Sequence, residues 1–190
     1  MAKRVYFTFD YEDVSDFRAN VVRNHKFVDD IETAGYFDAS IWEESKKKDA
    51  AALKKLISTA LDNTSVTVVL IGSDTFNRRW VRYELFKSLE RGNKIFGIHI
   101  NSIAGKDTKT KTPGPNPFEH LGIEFSADGK SYRPVEWDGK KWIFSADCES
   151  VAIKERPENE RGKIYKLSTW SKTYDWTAEE GHKNFKTWII

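Results

Sequence analysis

The chain has 190 residues, 39% of them hydrophobic and 32% charged, and a formal net charge of +2 at pH 7. This is an ordinary globular composition with both signs of charge interspersed, which gives no reason to expect a nucleic-acid or membrane partner. Its single cysteine, Cys148, excludes an internal disulfide and a multi-thiolate zinc site, fits a reducing cytoplasm, and reads as a small buried hydrophobe.

The amino terminus, MAKRVYFTFDYED, carries two basic residues, but its apolar stretch stops at Asp10, too short for the hydrophobic region of a signal peptide. Residues 4–9, RVYFTF, are β-branched and aromatic and predict a strand. From Asp13 as N-cap, Val14, Phe17, Val21 and Val28 keep helical spacing. GYFDAS, at 35–40, predicts a short second strand. In DAAALKKLISTAL the residues Leu53, Leu56, Ile57, Ala60 and Leu61 form one helical stripe. SVTVVLIG, at 65–72, is apolar on both pleat faces, as a central parallel strand should be, and falls far short of a membrane span.

WVRYELFKSLERGNK predicts a helix ending at Gly92, with Val81, Leu85, Phe86 and Leu89 as its buried sector. Glu84 falls at the margin of that sector, where a surface pair with Lys87 is the simplest reading. NKIFGIHI then predicts a fourth strand, with His99 as a core or cleft-rim residue. Four alternations of strand and helix predict an α/β fold, a parallel sheet flanked by helices with right-handed crossovers.

After Asn101 the pattern changes. GKDTKTKTPGPNP reads as a solvated loop. Asp128-Gly129 and Asp138-Gly139, each between apolar stretches, are hairpin signals. The tail predicts a terminal helix whose Trp176, Phe185, Trp188 and Ile189 dock on the body. The expected organisation is a main domain over 1–125 and an aromatic-rich hairpin and helix extension over 126–190, packed on the same domain.

No G-x-G-x-x-G, G-x-x-x-x-G-K-[ST] or G-x-S-x-G motif is present, and the four scattered histidines predict no metal. A response-regulator phosphoacceptor is disfavoured: Asp10 and Asp13 could supply its acidic residues, but the third strand closes in Gly72-Ser73 and no lysine ends the fourth. In open parallel sheets ligands bind beyond the carboxyl ends of the strands. Those ends supply Phe9, Asp10 and Tyr11, then Asp38 leading to Trp42, then Ser73, and the helix carrying Trp80 and Glu84 starts at the same edge. Aromatics, small residues and one carboxylate make a pocket suited to a nucleotide-like ligand, with Phe9, Trp42 and Trp80 as stacking candidates.

RVYFTFDYED resembles the first box of TIR domains, a strand ending in Phe/Ile-Ser-Tyr, here Phe7-Thr8-Phe9. GSDTFNRRWVRYEL is similar to their Ser-x-x-Phe and Trp-x-x-x-Glu pattern, at Ser73, Phe76, Trp80 and Glu84. FDASIWE, NTSVTVVLIGS, TFNRRWVRYE, GNKIFGIHIN and GPNPF look more narrowly like the TIR-like subunit of bacterial Thoeris anti-phage systems. The resemblance implies a flavodoxin-like fold, cytoplasmic action, and NAD+ as substrate, with no cofactor. It also implies a cyclic ADP-ribose isomer as diffusible messenger to a separate effector protein, an infection-derived trigger, and self-association through TIR contacts. It places the catalytic role on Glu84. Thr8 replaces the usual serine and keeps its hydroxyl, Asp10 stands where relatives often carry a basic residue, and the segment with Glu43, Glu44 and Lys46 departs from typical TIR loops.

A lone carboxylate is sufficient for this chemistry. Ordinary glycosidases need a second one to protonate the leaving oxygen, whereas nicotinamide leaves NAD+ neutral and unprotonated. Stabilising an oxocarbenium-like ribose remains, which a carboxylate in a low-dielectric site can do. The alternative from the same resemblance is a TIR interaction module without catalysis.

Overall fold

The computed structural model describes residues 4–25, 33–34 and 49–190. The predicted strand at 35–40, Val28, and the candidates Asp38 and Trp42 lie outside the described residues, as does the segment with Glu43, Glu44 and Lys46. Five strands form one parallel sheet in the order β2-β1-β3-β4-β10. They are β1 (Val5–Phe9), β2 (Thr33–Ala34), β3 (Val66–Ile71), β4 (Lys94–His99) and β10 (Thr173–Asp175). Val5 pairs with Val66 and Phe9 with Leu70, so β1 and β3 end together at the carboxyl edge. This is the α/β order in which the crevice opens between β1 and β3, where the connections leave the sheet in opposite directions.

Side chains alternate across the pleat, and each face is covered by helices. On one face Val5, Phe7, Val66, Val68, Phe96 and Ile98 pack with α2 (Arg18–Arg23) and the terminal α5 (Gly181–Ile189). On the other, Val69, Ile71 and Ile95 pack against α4 (Arg79–Glu90), and Tyr6 packs against α3 (Ala50–Leu61). The stripe in α3 buries Leu53, Ile57 and Leu61 completely, and Asp49 caps its first turn by accepting from Ala52 N at 2.6 Å. In α4, Val81, Leu85 and Phe86 are buried. The helix closes as predicted at Gly92, whose φ of +74° suits a residue without Cβ.

The predicted single helix after the first strand is two. Asp10, not Asp13, caps the five-residue α1 (Tyr11–Ser15). Phe17 then takes φ +68° before α2 begins. That left-handed residue rotates the helical phase, so Arg18, Ala19 and Val22 face inward while Phe17 and Val21 stay exposed.

Beyond β4 the chain forms a second, antiparallel sheet in the order β7-β6-β5-β9, built from β5 (Leu121–Phe125), β6 (Ser131–Trp137), β7 (Trp142–Phe144) and β9 (Ile164–Lys166), with β8 (Val151–Ala152) paired to β6. Gly129 and Gly139, at φ +73° and +97°, turn its two hairpins where the Asp-Gly signals stand. Leu121 and Leu167 join the core of α4, attaching this sheet to the helix that carries Glu84. The chain then returns to the first sheet as β10. Trp176, just ahead of α5, and Phe185, Trp188 and Ile189 within it are buried in that sheet's core. Among the described residues no helix is long and apolar enough to cross a membrane.

Candidate active site

Glu84 lies on the second turn of α4, about 8 Å along the axis from the first residue of the helix. Its side chain does not reach Lys87, which pairs with Glu90 instead. It turns inward against β1 and is 5% exposed. Tyr6 and Thr8, two residues apart and so on one pleat face, both point at it. The Tyr6 hydroxyl donates to Oε1 at 2.7 Å, and the Thr8 hydroxyl donates to Oε2. Burial pushes the Glu84 carboxyl up to about 7, against the two hydrogen bonds, which favour the charged form. Burial, with the Glu84 charge beside it, holds the Tyr6 phenol well above its ordinary value, so it stays a donor.

The turn behind Glu84 is pinned to the sheet. Ser88 Oγ donates to the Glu84 carbonyl at 2.7 Å, Thr67 Oγ1 of β3 donates to Ser88 Oγ at 2.8 Å, and Asn93 Nδ2 donates to Thr67 Oγ1 at 3.2 Å. This buried chain fixes the register of α4 on β3, and with it the height of the carboxylate over β1. Trp80, one turn earlier on the same side of α4, is half-buried and packs against the cluster of Tyr6, Leu53, Ile57, Leu61 and Tyr83. Its ring meets that of Tyr83 edge to face at 5.9 Å, and the Arg79 guanidinium lies 4.7 Å from its centre.

The carboxyl edge holds the other predicted residues. Asp10 Oδ1 accepts from Glu12 N as the cap of α1, and its Oδ2 accepts from Arg78 Nε at 2.7 Å. Arg78 also faces Glu12 and Asp74, so it is surrounded by carboxylates. Tyr11 is half-buried beside Phe9, ring centres 5.7 Å apart. Ser73 is exposed and its Oγ accepts from Asn101 Nδ2 at 3.0 Å. Phe9 belongs to the opposite pleat face from Thr8, packed with Val5 and Phe7 under the Arg23 guanidinium at 5.4 Å. Trp80 and Glu84 are thus brought to one side of the sheet with Tyr6 and Thr8, while Phe9 is not. His99, at the end of β4, is half-buried, and burial lowers its pKa against the opposing Asp175.

The lysine-rich loop is exposed over 106–113, as its composition implies, but its backbone is tied down at several points. Arg18, fully buried, donates to the Ile103 carbonyl at 2.9 Å and the Lys109 carbonyl at 2.6 Å and pairs with Asp16. Asn101 Nδ2 donates to the Thr112 carbonyl at 2.7 Å. Gly114 rests on the Gly72 carbonyl so closely that a Cβ there would overlap it, and a Cβ on Gly72 would overlap the Asp13 carboxylate. The loop therefore lies across the carboxyl end of β3. Asp13 is buried beside it, pushed up to about 6 by burial and the Asp10 charge.

Tyr6 and Arg78 were not among the residues expected at the site, and Asp13 was expected as a helix cap. The period-two relation of Tyr6 to Thr8 was the available signal for the first; Arg78 carried none. Among the described residues no group of three or more His, Cys, Asp or Glu is placed to hold a metal.

Residues 6–104 match the family described as Thoeris protein ThsB, TIR-like domain. The chain is also 53% identical, over 191 aligned positions spanning the whole of both chains, to a protein of Bacillus cereus (strain MSX-D12) provisionally named cyclic ADP-D-ribose synthase ThsB1.

Proposed function

This chain belongs to the TIR-like family of the Thoeris protein ThsB, and from that membership we propose that it cleaves NAD+ at the nicotinamide–ribose bond and closes the product into a cyclic ADP-ribose isomer. The isomer serves in anti-phage defence as a messenger to a separate effector. The observation that carries the reading is the Glu84 carboxylate, buried and held on both oxygens by Tyr6 and Thr8.

In this account Glu84 is the catalytic residue. When the C1–N bond of the nicotinamide riboside breaks, the electron pair leaves with nicotinamide, which departs neutral. Positive charge develops on the ribose, and an ionised carboxylate in a site of low dielectric stabilises it without reorganising. The Tyr6 and Thr8 hydroxyls fix the carboxylate and favour its charged form. A hydroxyl of the adenosine ribose then bonds to C1 and its proton passes to solvent, so NAD+ yields nicotinamide, the cyclic product and one proton. Excluding water in favour of that hydroxyl is a matter of proximity, for which Trp80 supplies an aromatic wall. Asp10, Tyr11 and Ser73 line the rim in the same reading, and Asp38 and Trp42 complete the proposed substrate contacts. Self-association of the chain belongs to the proposal as well.

An interaction module alone has no need of a buried carboxylate near neutrality. The test is mass spectrometry of NAD+ incubations with the purified protein and with protein recovered from phage-challenged cells. A product one water lighter than ADP-ribose supports the reading, and its absence from both preparations contradicts it.

A further inference from the structure

Asp147 lies between β7 and β8, far in sequence from the helices it holds together. Its carboxylate accepts two parallel hydrogen bonds from Arg79 at the start of α4, Nε to Oδ2 and Nη2 to Oδ1, each 2.7 Å. Lys54 of α3 reaches Oδ1 at 3.2 Å and donates to the Asp147 carbonyl at 2.8 Å. Both cations rest on aromatic rings of α4. Arg79 lies 4.7 Å from the centre of Trp80, and Lys54 lies 5.2 Å from that of Tyr83.

The Arg79 hydrogen bonds hold the Asp147 carboxyl below its ordinary range. Arg79 is itself 60% exposed, so this pair contributes little to stability. What it contributes is geometry. A two-pronged guanidinium–carboxylate contact fixes the plane of the guanidinium, which a lysine or a single hydrogen bond would not. That guanidinium lies 4.7 Å from the centre of the Trp80 ring, one turn before Glu84.

We propose that Asp147 is a positioning residue: through Arg79 it holds the Trp80 ring as a wall of the reaction cleft, so that the second sheet sets the geometry of a site built on the first. This rests on the reading of Glu84 as the catalytic carboxylate. Asp147→Asn keeps the size of the side chain but loses its charge and one of the two acceptors.

The test is a double-mutant cycle on NAD+ turnover. Asp147→Asn in the full chain lowers kcat/KM about tenfold and raises the share of linear ADP-ribose at the expense of the cyclic product. In a Trp80→Ala background the same substitution changes kcat/KM by less than about twofold, because the group it acts through is gone. Equal effects in the two backgrounds, or a lowered Tm with kcat/KM and product ratio unchanged, would overturn the proposal. The linkage is also read without turnover. The indole N–H resonance of Trp80, identified by its loss in Trp80→Phe, shifts in Asp147→Asn, and an unmoved resonance overturns the proposal. A resonance that shifts in Asp147→Asn while wild type turns over no NAD+ refutes the NAD+ reading and, with it, the catalytic purpose of the clamp.

Discussion

The Tyr6 hydroxyl donates to Glu84 Oε1 at 2.7 Å, joining β1 to α4 through a hydrogen bond that is fully buried. Its partner on the other oxygen, Thr8, sits one pleat period along the same strand. Both bonds favour the ionised carboxylate while burial disfavours it, and the balance leaves the Glu84 carboxyl at about 7. A catalytic role requires the ionised form, so activity should follow that balance.

Removing either donor raises the Glu84 pKa further, because the charged form loses a hydrogen bond while burial is unchanged. Wild-type kcat/KM is expected to rise with pH through a midpoint near 7, and Tyr6→Phe and Thr8→Val are each expected to move the midpoint upward. Activity at pH 7 falls in consequence and partly recovers at pH 8.5. A pH–rate profile with an unmoved midpoint would separate these hydroxyls from the carboxylate's ionisation.

Stability carries the same signature with a defined sign. Folded Glu84 titrates at about 7 against an ordinary 4.5. Between those values the folded state holds more protons than the unfolded state, so wild-type stability falls as pH rises through that window and stays lower above it. The full effect is about 3 kcal/mol. Glu84→Gln has no such titration, so its stability relative to wild type improves steadily from pH 4.5 to 8. Asp13, pushed up to about 6, tilts both proteins alike and cancels in the comparison. Parallel urea-melt stabilities across this range would show that Glu84 is not buried in the way described.

Gly72 and Gly114 form a contact with no room for a side chain. Gly114→Ala drives a methyl into the Gly72 carbonyl, which as backbone cannot move aside, and is expected to cost about 2 kcal/mol or more. Gly105→Ala meets the side chains of Asp16 and Arg18 instead, and these can shift more readily. Thermal melts should therefore rank Gly114→Ala below Gly105→Ala, and the reverse order would contradict the seating of this loop on β3.

Much of the fold was legible because it rests on period. Leu53, Ile57 and Leu61 of the α3 stripe and all six residues of β3, apolar but for Thr67, are buried as their patterns require. The margin position of Glu84 on α4 suggested a surface pair with Lys87, whereas the side chain turns inward and is buried. Other features lacked a local signal. A phenylalanine at φ +68° has no turn signature, so the break between α1 and α2 was hidden inside continuous helical spacing. The fifth parallel strand is three residues long and follows an entire antiparallel sheet, too short a segment for periodicity to reveal. At the site, resemblance rather than pattern pointed to Glu84, and Phe9 was grouped with it because both lie near the strand ends. The pleat places Phe9 on the opposite face. Asp147 sits in a loop with no motif, and only the folded chain brings it to Arg79.

The most direct measurement is nicotinamide release from NAD+ by wild type and Glu84→Gln side by side, using protein from phage-challenged cells and confirming the fold of the variant by its melt. Wild type is expected to release nicotinamide and the variant to lose at least about a hundredfold, with the fold retained. Equal release by the two proteins would contradict it and remove Glu84 from the chemistry.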